Sequence, residues 1–315
     1  MGNFVITHTD VDGIVSAAIA LRAVGEAEVK FSGPRSIART LSRVPGSGDV
    51  LVICDVAVNR DSLDRIVREL ERLREGWRIV WIDHHPWPEE AAERISEMVD
   101  LTLRPAPSAA RLVLEVLGGD ETAERLAEIA DDADTATYSM EESRLLRAVS
   151  RSGRLRLRAV RELAEDGWIS QELESEARKR LAKMEEFVRR ALERVVVVES
   201  GSGLRLGIID LRPRGGPGSA VAQELGRMGR ADVCLVIYSC DRFSLYSCSD
   251  APVNLRPICE SHGGGGHPFA CGGRLEIGLL GRVLCRLLGR WYTPREIRAL
   301  IDEILSCLGG PAPPS

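Results

Sequence analysis

The feature that most restricts the fold of this 315-residue chain is the alternation of short β-forming runs with helical patterns through its first hundred residues. Phe4 to Thr7, Val29 to Phe31, Val50 to Cys54 and Ile79 to Ile82 read as strands, and segments starting near Gly13, Arg35, Arg60 and Pro88 read as helices. Strands joined through helices run parallel, with right-handed crossovers and helices on both faces of the sheet. The runs VLVIC and RIVWI are apolar without alternation, as strands buried on both faces are. From Ser108 to about Glu193 the pattern turns helical. It closes on a charged stretch, about 169–194, whose Leu173, Ala177, Leu181, Met184, Val188 and Leu192 recur at three- and four-residue spacing. Its charges read as a solvated face of opposite-charge neighbours rather than a nucleic-acid stripe.

Strand signals return at Val195 to Glu199, Leu204 to Ile209, Val233 to Tyr238 and Phe243 to Ser247, followed by a glycine run and two closing helices. The expected architecture is α/β. A parallel-sheet N-terminal domain, 1–193, ends in the connecting helix, and a smaller mixed α/β domain, 195–315, follows it; the length suits two cores better than one.

The net charge of −5 and pI near 5.7 argue against a broad, sequence-independent nucleic-acid surface, while leaving room for a short anionic substrate. No apolar run approaches the twenty or so residues of a membrane span, and the start, MGNFVITHTD, lacks the basic flank and apolar stretch of a secretory signal. A cytoplasmic protein with no membrane partner is expected. The chain has 39 Arg against 3 Lys, with only 3 Asn and 2 Gln; scarce amides suit a thermophilic source, although Arg dominance also follows from genome composition. Eight cysteines include no C-x-x-C pair, which removes zinc-ribbon and thioredoxin-type readings. Buried thiols are the expectation, with a bridge or two as the alternative in a hyperthermophile.

The five histidines fall in three places: His8 in THTDVDG, His84 and His85 in WIDHHPW, and His262 and His267 in SHGGGGHP. Asp10 and Asp12 follow the first strand, Asp55 ends VLVICD, and Asp83 precedes the histidine pair. The carboxyl ends of parallel strands meet along one edge, where ligands bind in open α/β sheets. Taken singly, Asp10, Asp12 and Asp55 serve equally well as helix caps. Taken together with the imidazoles, they form a crowd of carboxylates that protons or cations must neutralise. Oxygen and imidazole donors without thiolate suit Mn²⁺, with Mg²⁺ or Co²⁺ as other occupants. Two ions sharing a bridging carboxylate, for which Asp55 is the choice, sit about 3.5–4 Å apart and serve displacement at phosphorus.

THTDVDGIVSA, the strand-terminal ICD and IDHHP, in this order, resemble the DHH phosphoesterase superfamily. SHGGGGHPFACGG is similar to the glycine-rich signature of the DHH-associated substrate-binding domain of the RecJ-type nuclease and oligoribonuclease branch. The resemblance implies a manganese-dependent site in the cleft between the domains. Asp10 and Asp12 would each serve a different metal, Asp55 would bridge, His84 would be a ligand, and His85 would contact substrate phosphate. Asp83 would orient its neighbours. His8 resembles the leading histidine of the first motif, at a spacing to Asp10 shorter than in the pyrophosphatase branch, whose second domain also lacks the glycine run. The fourth motif of the family is an Asp after a helix, and IADDADT offers Asp131, Asp132 and Asp134, of which Asp132 is favoured.

In the second domain, Gly264, Gly265 and Gly266 would let backbone amides approach a phosphate, with His267 donating to it. Relatives carry an Arg in the preceding strand where this chain reads SLYSCSD, and Arg242 is the nearest substitute. The implied activity is hydrolysis of short single-stranded RNA or DNA to mononucleotides by a water activated between two metals. A nucleotide phosphatase of the 3′-phosphoadenosine 5′-phosphate type is the alternative. A replication- or repair-associated binding protein is the reading from another class, against which the retained motif carboxylates stand. A replication or repair protein and a second copy of the chain, as a homodimer, remain open as partners.

Overall fold

The computed structural model describes residues 2–213, 215–248 and 253–309, and every structural statement below concerns these. The chain divides into two compact units, Met1–Ala182 and Lys183–Ser315, with the division inside a long helix.

The first unit runs β1 (Asn3–Thr7), α1 (Val11–Val24), β2 (Ala27–Phe31), α2 (Ile37–Leu41), β3 (Val50–Cys54), α3 (Leu63–Leu73), β4 (Arg78–Asp83), α4 (Glu89–Ser96) and β5 (Asp100–Leu103). There follow α5 (Ala109–Leu117), α6 (Glu121–Asp134), α7 (Glu141–Ser150), α8 (Gly153–Asp166) and α9 (Gln171–Leu192), the last crossing into the second unit. The sheet is parallel throughout, in the order β2-β1-β3-β4-β5. The fifth strand, DLTL, lies at an edge and is only partly buried, so it lacks the apolar run that marks the central strands.

Alternate strand residues supply two cores. Val5, Val52, Cys54, Val80 and Ile82 pack with α1, α5, α6 and α8, while Phe4, Ile6, Leu51, Ile53, Ile79 and Trp81 pack with α2, α3 and α4. The non-alternating runs thus bury both faces, as such runs require. The chain order reverses on either side of β1, and the gap between the ends of β1 and β3 is the switch point where a sheet of this kind opens a ligand crevice.

The second unit contains the end of α9, then β6 (Val196–Glu199), β7 (Arg205–Asp210), α10 (Gly218–Arg227), β8 (Val233–Ile237), β9 (Arg242–Ser247), α11 (Arg256–Ser261), β10 (Gly265–His267), β11 (Ala270–Arg274), α12 (Leu279–Leu288) and α13 (Arg295–Gly309). Its sheet is mixed, in the order β10-β11-β9-β8-β7-β6, with β7 and β8 parallel and the other neighbours antiparallel. One face is covered by α13 through Ile297, Leu300, Ile304 and Leu308, and the other by α10 and the end of α9. The glycine run leads into the β10–β11 hairpin.

Two cysteine assignments change. Cys240 is bridged to Cys285 and Cys259 to Cys271, whereas Cys54, Cys234, Cys248 and Cys307 are free. Plain packing was the sequence expectation, and it fails for these four because strand and helix pairing bring them together across 45 and 12 residues of chain. Along α9, Glu174 with Arg178, Glu176 with Arg180 and Glu186 with Arg190 pair at four-residue spacing, so its charges satisfy one another.

Candidate metal centre

Three strand ends of the first unit deliver the acidic and imidazole side chains to one place. His8 and Asp10 follow β1, Asp12 lies in the first turn of α1, Asp55 follows β3, and Asp83 ends β4 ahead of His84 and His85. Their donor atoms fall into three overlapping sets, each with all members within 4.8 Å of one another: His8, Asp10 and Asp55; Asp12, His84 and Asp134; and Asp55, Asp83, His84 and His85. Asp55 and His84 each belong to two sets.

Local structure fixes most of these groups. Asp10 caps α1, its Oδ1 accepting from Gly13 N at 3.1 Å, while Oδ2 pairs with His8 Nδ1 at 2.7 Å. Gly13 is obligatory here, because a Cβ would lie 2.4 Å from His8 O. Asp12 does not cap its own helix. Its two oxygens accept from the backbone amides of Ala109 (2.7 Å) and Ala110 (2.8 Å) at the start of α5, placing a buried carboxylate on the positive end of that helix. Asp55 takes a left-handed conformation (φ 57°) immediately after β3, which for a non-glycine residue stores strain at a functional turn. Its Oδ2 is buried and accepts no hydrogen bond among the described residues.

Asp83 is fully buried and accepts from His85 Nδ1 (2.7 Å), His84 N (2.9 Å) and Trp87 Nε1 (2.6 Å). It therefore holds the two-histidine turn in place. His84 Nδ1 lies 3.1 Å from Ala106 O, a contact only an N–H makes, which leaves Nε2 turned toward the carboxylates. That nitrogen is 3.4 Å from Asp134 Oδ2 and 3.7 Å from Asp12 Oδ2.

Asp134, and not Asp132, joins the centre, which corrects the sequence expectation. The carboxylate of Asp132 accepts from Ser139 N and Oγ (2.9 and 2.7 Å), Met140 N (3.0 Å) and Ser143 Oγ (2.6 Å), tying the end of α6 to the start of α7. Asp131 is engaged by Arg111 Nη2 (2.6 Å) and Ser108 Oγ (2.6 Å). Asp132 and Asp134 point about 200° apart on the helix, so both cannot face the strand tips, and Asp131, which shares the face of Asp134, is drawn aside by Arg111 and Ser108. Sequence reasoning also missed Arg156 of α8, whose Nη1 donates to Thr9 O at 3.3 Å and whose guanidinium lies 4.8 Å from the Phe31 ring centre. Nothing in the local sequence of an arginine-rich helix singles it out.

The electrostatics are those of a crowded acidic site. Burial, then the charges of Asp10, Asp12 and Asp83, push the Asp55 carboxyl well above the usual range. Burial raises Asp12 to about 6, and burial with Asp12 and Asp10 raises Asp134 to about 8. Burial also opposes ionisation of Asp10, but His8 and the Gly13 amide hold it below the ordinary range. His85 is raised to about 9, because the hydrogen bond and charge of Asp83 outweigh burial. These donors fit hard or borderline divalent cations: they are carboxylates and imidazoles, mutually repulsive, and one buried oxygen of Asp55 accepts no hydrogen bond.

In the second unit, the hairpin explains part of the glycine run by itself. A Cβ on Gly264 would lie 1.8 Å from Gly272 O, and Gly266 has φ +135°. Gly265 alone of the three has open space where a Cβ would be. His267 closes β10, and Arg242 begins β9 two strands away, exposed and opposite Arg274 of β11. His262, from the same motif, pairs with Glu303 of α13 at 2.9 Å and lies edge-on to Phe243, while its carbonyl accepts from Arg274 N of β11 at 3.0 Å.

Fold and site together define a two-unit α/β protein with a cluster of metal-ligating side chains at the strand ends of its parallel sheet. Residues 3–139, within the first unit, match the DHH family, N-terminal domain. Among solved structures, the DHH domain of a member of the s1p family of ribosomal proteins is 17% identical, with TM-score 0.63 over 96% of this chain and 86% of that one. A pGpG-specific phosphodiesterase of Vibrio cholerae is 18% identical, with TM-score 0.55 over 92% and 98%. The exonuclease RecJ bound to manganese is 17% identical, with TM-score 0.54 over 95% and 93%. At these identities the likeness is one of fold. No curated protein matches the sequence, and no helix among the described residues is long and apolar enough to cross a membrane.

Proposed function

We propose that this protein is a manganese-dependent phosphoesterase that hydrolyses short single-stranded RNA or DNA to mononucleotides. The observation that carries the reading is the pair of donor sets, His8–Asp10–Asp55 and Asp12–His84–Asp134, linked through the set in which Asp55 and His84 recur. One ion would be held by His8, Asp10 and Asp55 and a second by Asp12, His84 and Asp134, with Asp55 shared between them. Bound there, the ions supply an activated water and neutralise charge developing at phosphorus.

The residues of the chain do the rest. The α5 amides keep both Asp12 oxygens oriented, and Ala106 O fixes the His84 tautomer. Asp83 holds His85 as an imidazolium, a donor suited to a phosphate oxygen. The manganese carried by the RecJ exonuclease of like fold is consistent with this choice of metal.

The test is to load the purified protein with Mn²⁺ and follow 5′- and 3′-labelled RNA and DNA oligomers of two to ten residues, beside an Asp55→Ala variant. Stepwise release of mononucleotides by the wild type, lost in the variant with folding kept, is the expected result. Inertness toward every oligomer, with release of phosphate from 3′-phosphoadenosine 5′-phosphate, would replace the exonuclease by a phosphatase. Unchanged turnover in Asp55→Ala would remove the bridge.

A further inference from the structure

The β10–β11 hairpin presents an aromatic ring that the core does not use. Phe269, in the turn after His267, is 58% exposed, and its ring stacks against the His267 imidazole with centroids 5.2 Å apart and planes 12° from parallel. Single exposed apolar side chains are ordinary on protein surfaces and imply nothing by themselves. Three further observations separate this one from that background.

The first is rigidity. Pro268 O accepts from Leu255 N at 2.7 Å, Phe269 O accepts from Ser247 N at 2.8 Å, and Cys271, two residues on, is bridged to Cys259. The turn is thus tied on both sides, and the ring is held out on a fixed backbone. The second is register. Directly opposed residues of antiparallel strands share a face, which puts His267, Ala270 and Tyr246 in one row and Gly265, Gly272 and Ser244 in the next. The opposite face carries Phe243, Leu245 and Cys271 into the core. Beside His267, the small residues Ala270, Gly265, Gly272 and Ser244 floor that face, with Tyr246 at its far end, leaving the part next to the hairpin low enough for a planar ligand to lie against the strands. The third is chemistry. An imidazole stacked on a phenyl ring puts a polar donor and an apolar plane side by side, the pairing needed for a phosphate attached to a nucleobase.

We propose that Phe269 is a stacking platform for a nucleobase of the ligand, with His267 beside it addressing the attached phosphate. The inference rests on the nucleotide-ester reading above and adds to it a determinant that favours base-bearing esters over base-free phosphates. Stacking of a base on an aromatic side chain tolerates any base, because each has a π face, so the platform would select nucleotides without selecting sequence.

The experiment uses the full-length, Mn²⁺-loaded protein and equilibrium binding, so that its readout does not depend on turnover. Calorimetric affinities for adenosine 5′-monophosphate and for ribose 5-phosphate are compared in the wild type, Phe269→Ala and Phe269→Trp. Loss of one base–aromatic stack weakens binding by about ten- to a hundredfold. Phe269→Ala should show that loss for adenosine 5′-monophosphate and leave ribose 5-phosphate unchanged. Phe269→Trp should bind like the wild type, with its indole fluorescence quenched by the mononucleotide. Equal weakening of both ligands, or of neither, overturns the platform, as does a wild type that binds the two equally. Hydrolysis of labelled oligomers, measured separately, decides the underlying reading, so failure of one is not failure of the other. The ring is exposed and makes no core contact, so Phe269→Ala should fold, and an unchanged melting temperature verifies it.

Discussion

Binding of Mn²⁺ to this centre should expel protons, and the structure sets how many. In the ion-free chain, Asp134 titrates at about 8 and Asp12 at about 6, with Asp55 held well above the usual carboxylate range. All three must be ionised to act as ligands. At pH 7 Asp134 is about nine-tenths protonated and Asp12 about one-tenth, so these two release about one proton, to which Asp55 and His8, both raised, add. Between pH 6 and pH 8, Asp134 alone makes ion binding about fiftyfold tighter and Asp12 about doubles that, before Asp55 is counted. Calorimetric titration with Mn²⁺ in buffers of different ionisation enthalpy measures the proton count directly. Release of less than about half a proton at pH 7 would mean that the acids are already ionised without cations, and the argument from crowding would fail. The same shifts fix the sign of the stability change. An acid whose folded pKa is raised favours the folded state while protonated, so the ion-free protein should lose stability as the pH climbs from about 4 to about 8. Saturating Mn²⁺ should restore it at the alkaline end.

Asp132→Asn should lower stability by about 1–3 kcal/mol, through weakened bonds to Ser139, Met140 and Ser143, with Mn²⁺ affinity retained. Asp134→Asn should do the opposite, leaving the ion-free protein at least as stable at pH 8 while lowering Mn²⁺ affinity; denaturant melts with metal titration of the pair decide between them. Gly13→Ala forces a methyl to within 2.4 Å of His8 O, so it should cost about 1–3 kcal/mol and displace His8, seen as lost stability together with weakened ion binding. Thiol titration of the unfolded, unreduced chain should find four free cysteines of the eight, rising to eight after reduction; eight before reduction would contradict both bridges.

What the sequence discloses and what it hides divide along the range of the interactions involved. Strand runs such as VLVIC and RIVWI announce their elements because burial on both faces is written into consecutive residues, and the side chains at their ends are then placed by topology alone. His8, Asp10, Asp55, Asp83, His84 and His85 converge for that reason. Asp12 is different: its location is legible, but the amides that orient it belong to Ala109 and Ala110, 97 and 98 residues away, and no local pattern marks them. The choice between Asp132 and Asp134 is of the same kind, since both lie in one helical turn and only the packing of α6 against its neighbours says which carboxylate faces the strand tips. The strand DLTL and the β10–β11 hairpin escaped for a third reason: an edge strand and a glycine-rich strand lack the apolar alternation by which strands are recognised, and their pairing comes from partners already in place. The centre was therefore readable wherever chemistry sits at the end of a strongly encoded strand, and hidden wherever a distant helix end completes it. Phe269 falls in the hidden class: its exposure and its stacking on His267 exist only once the hairpin has closed.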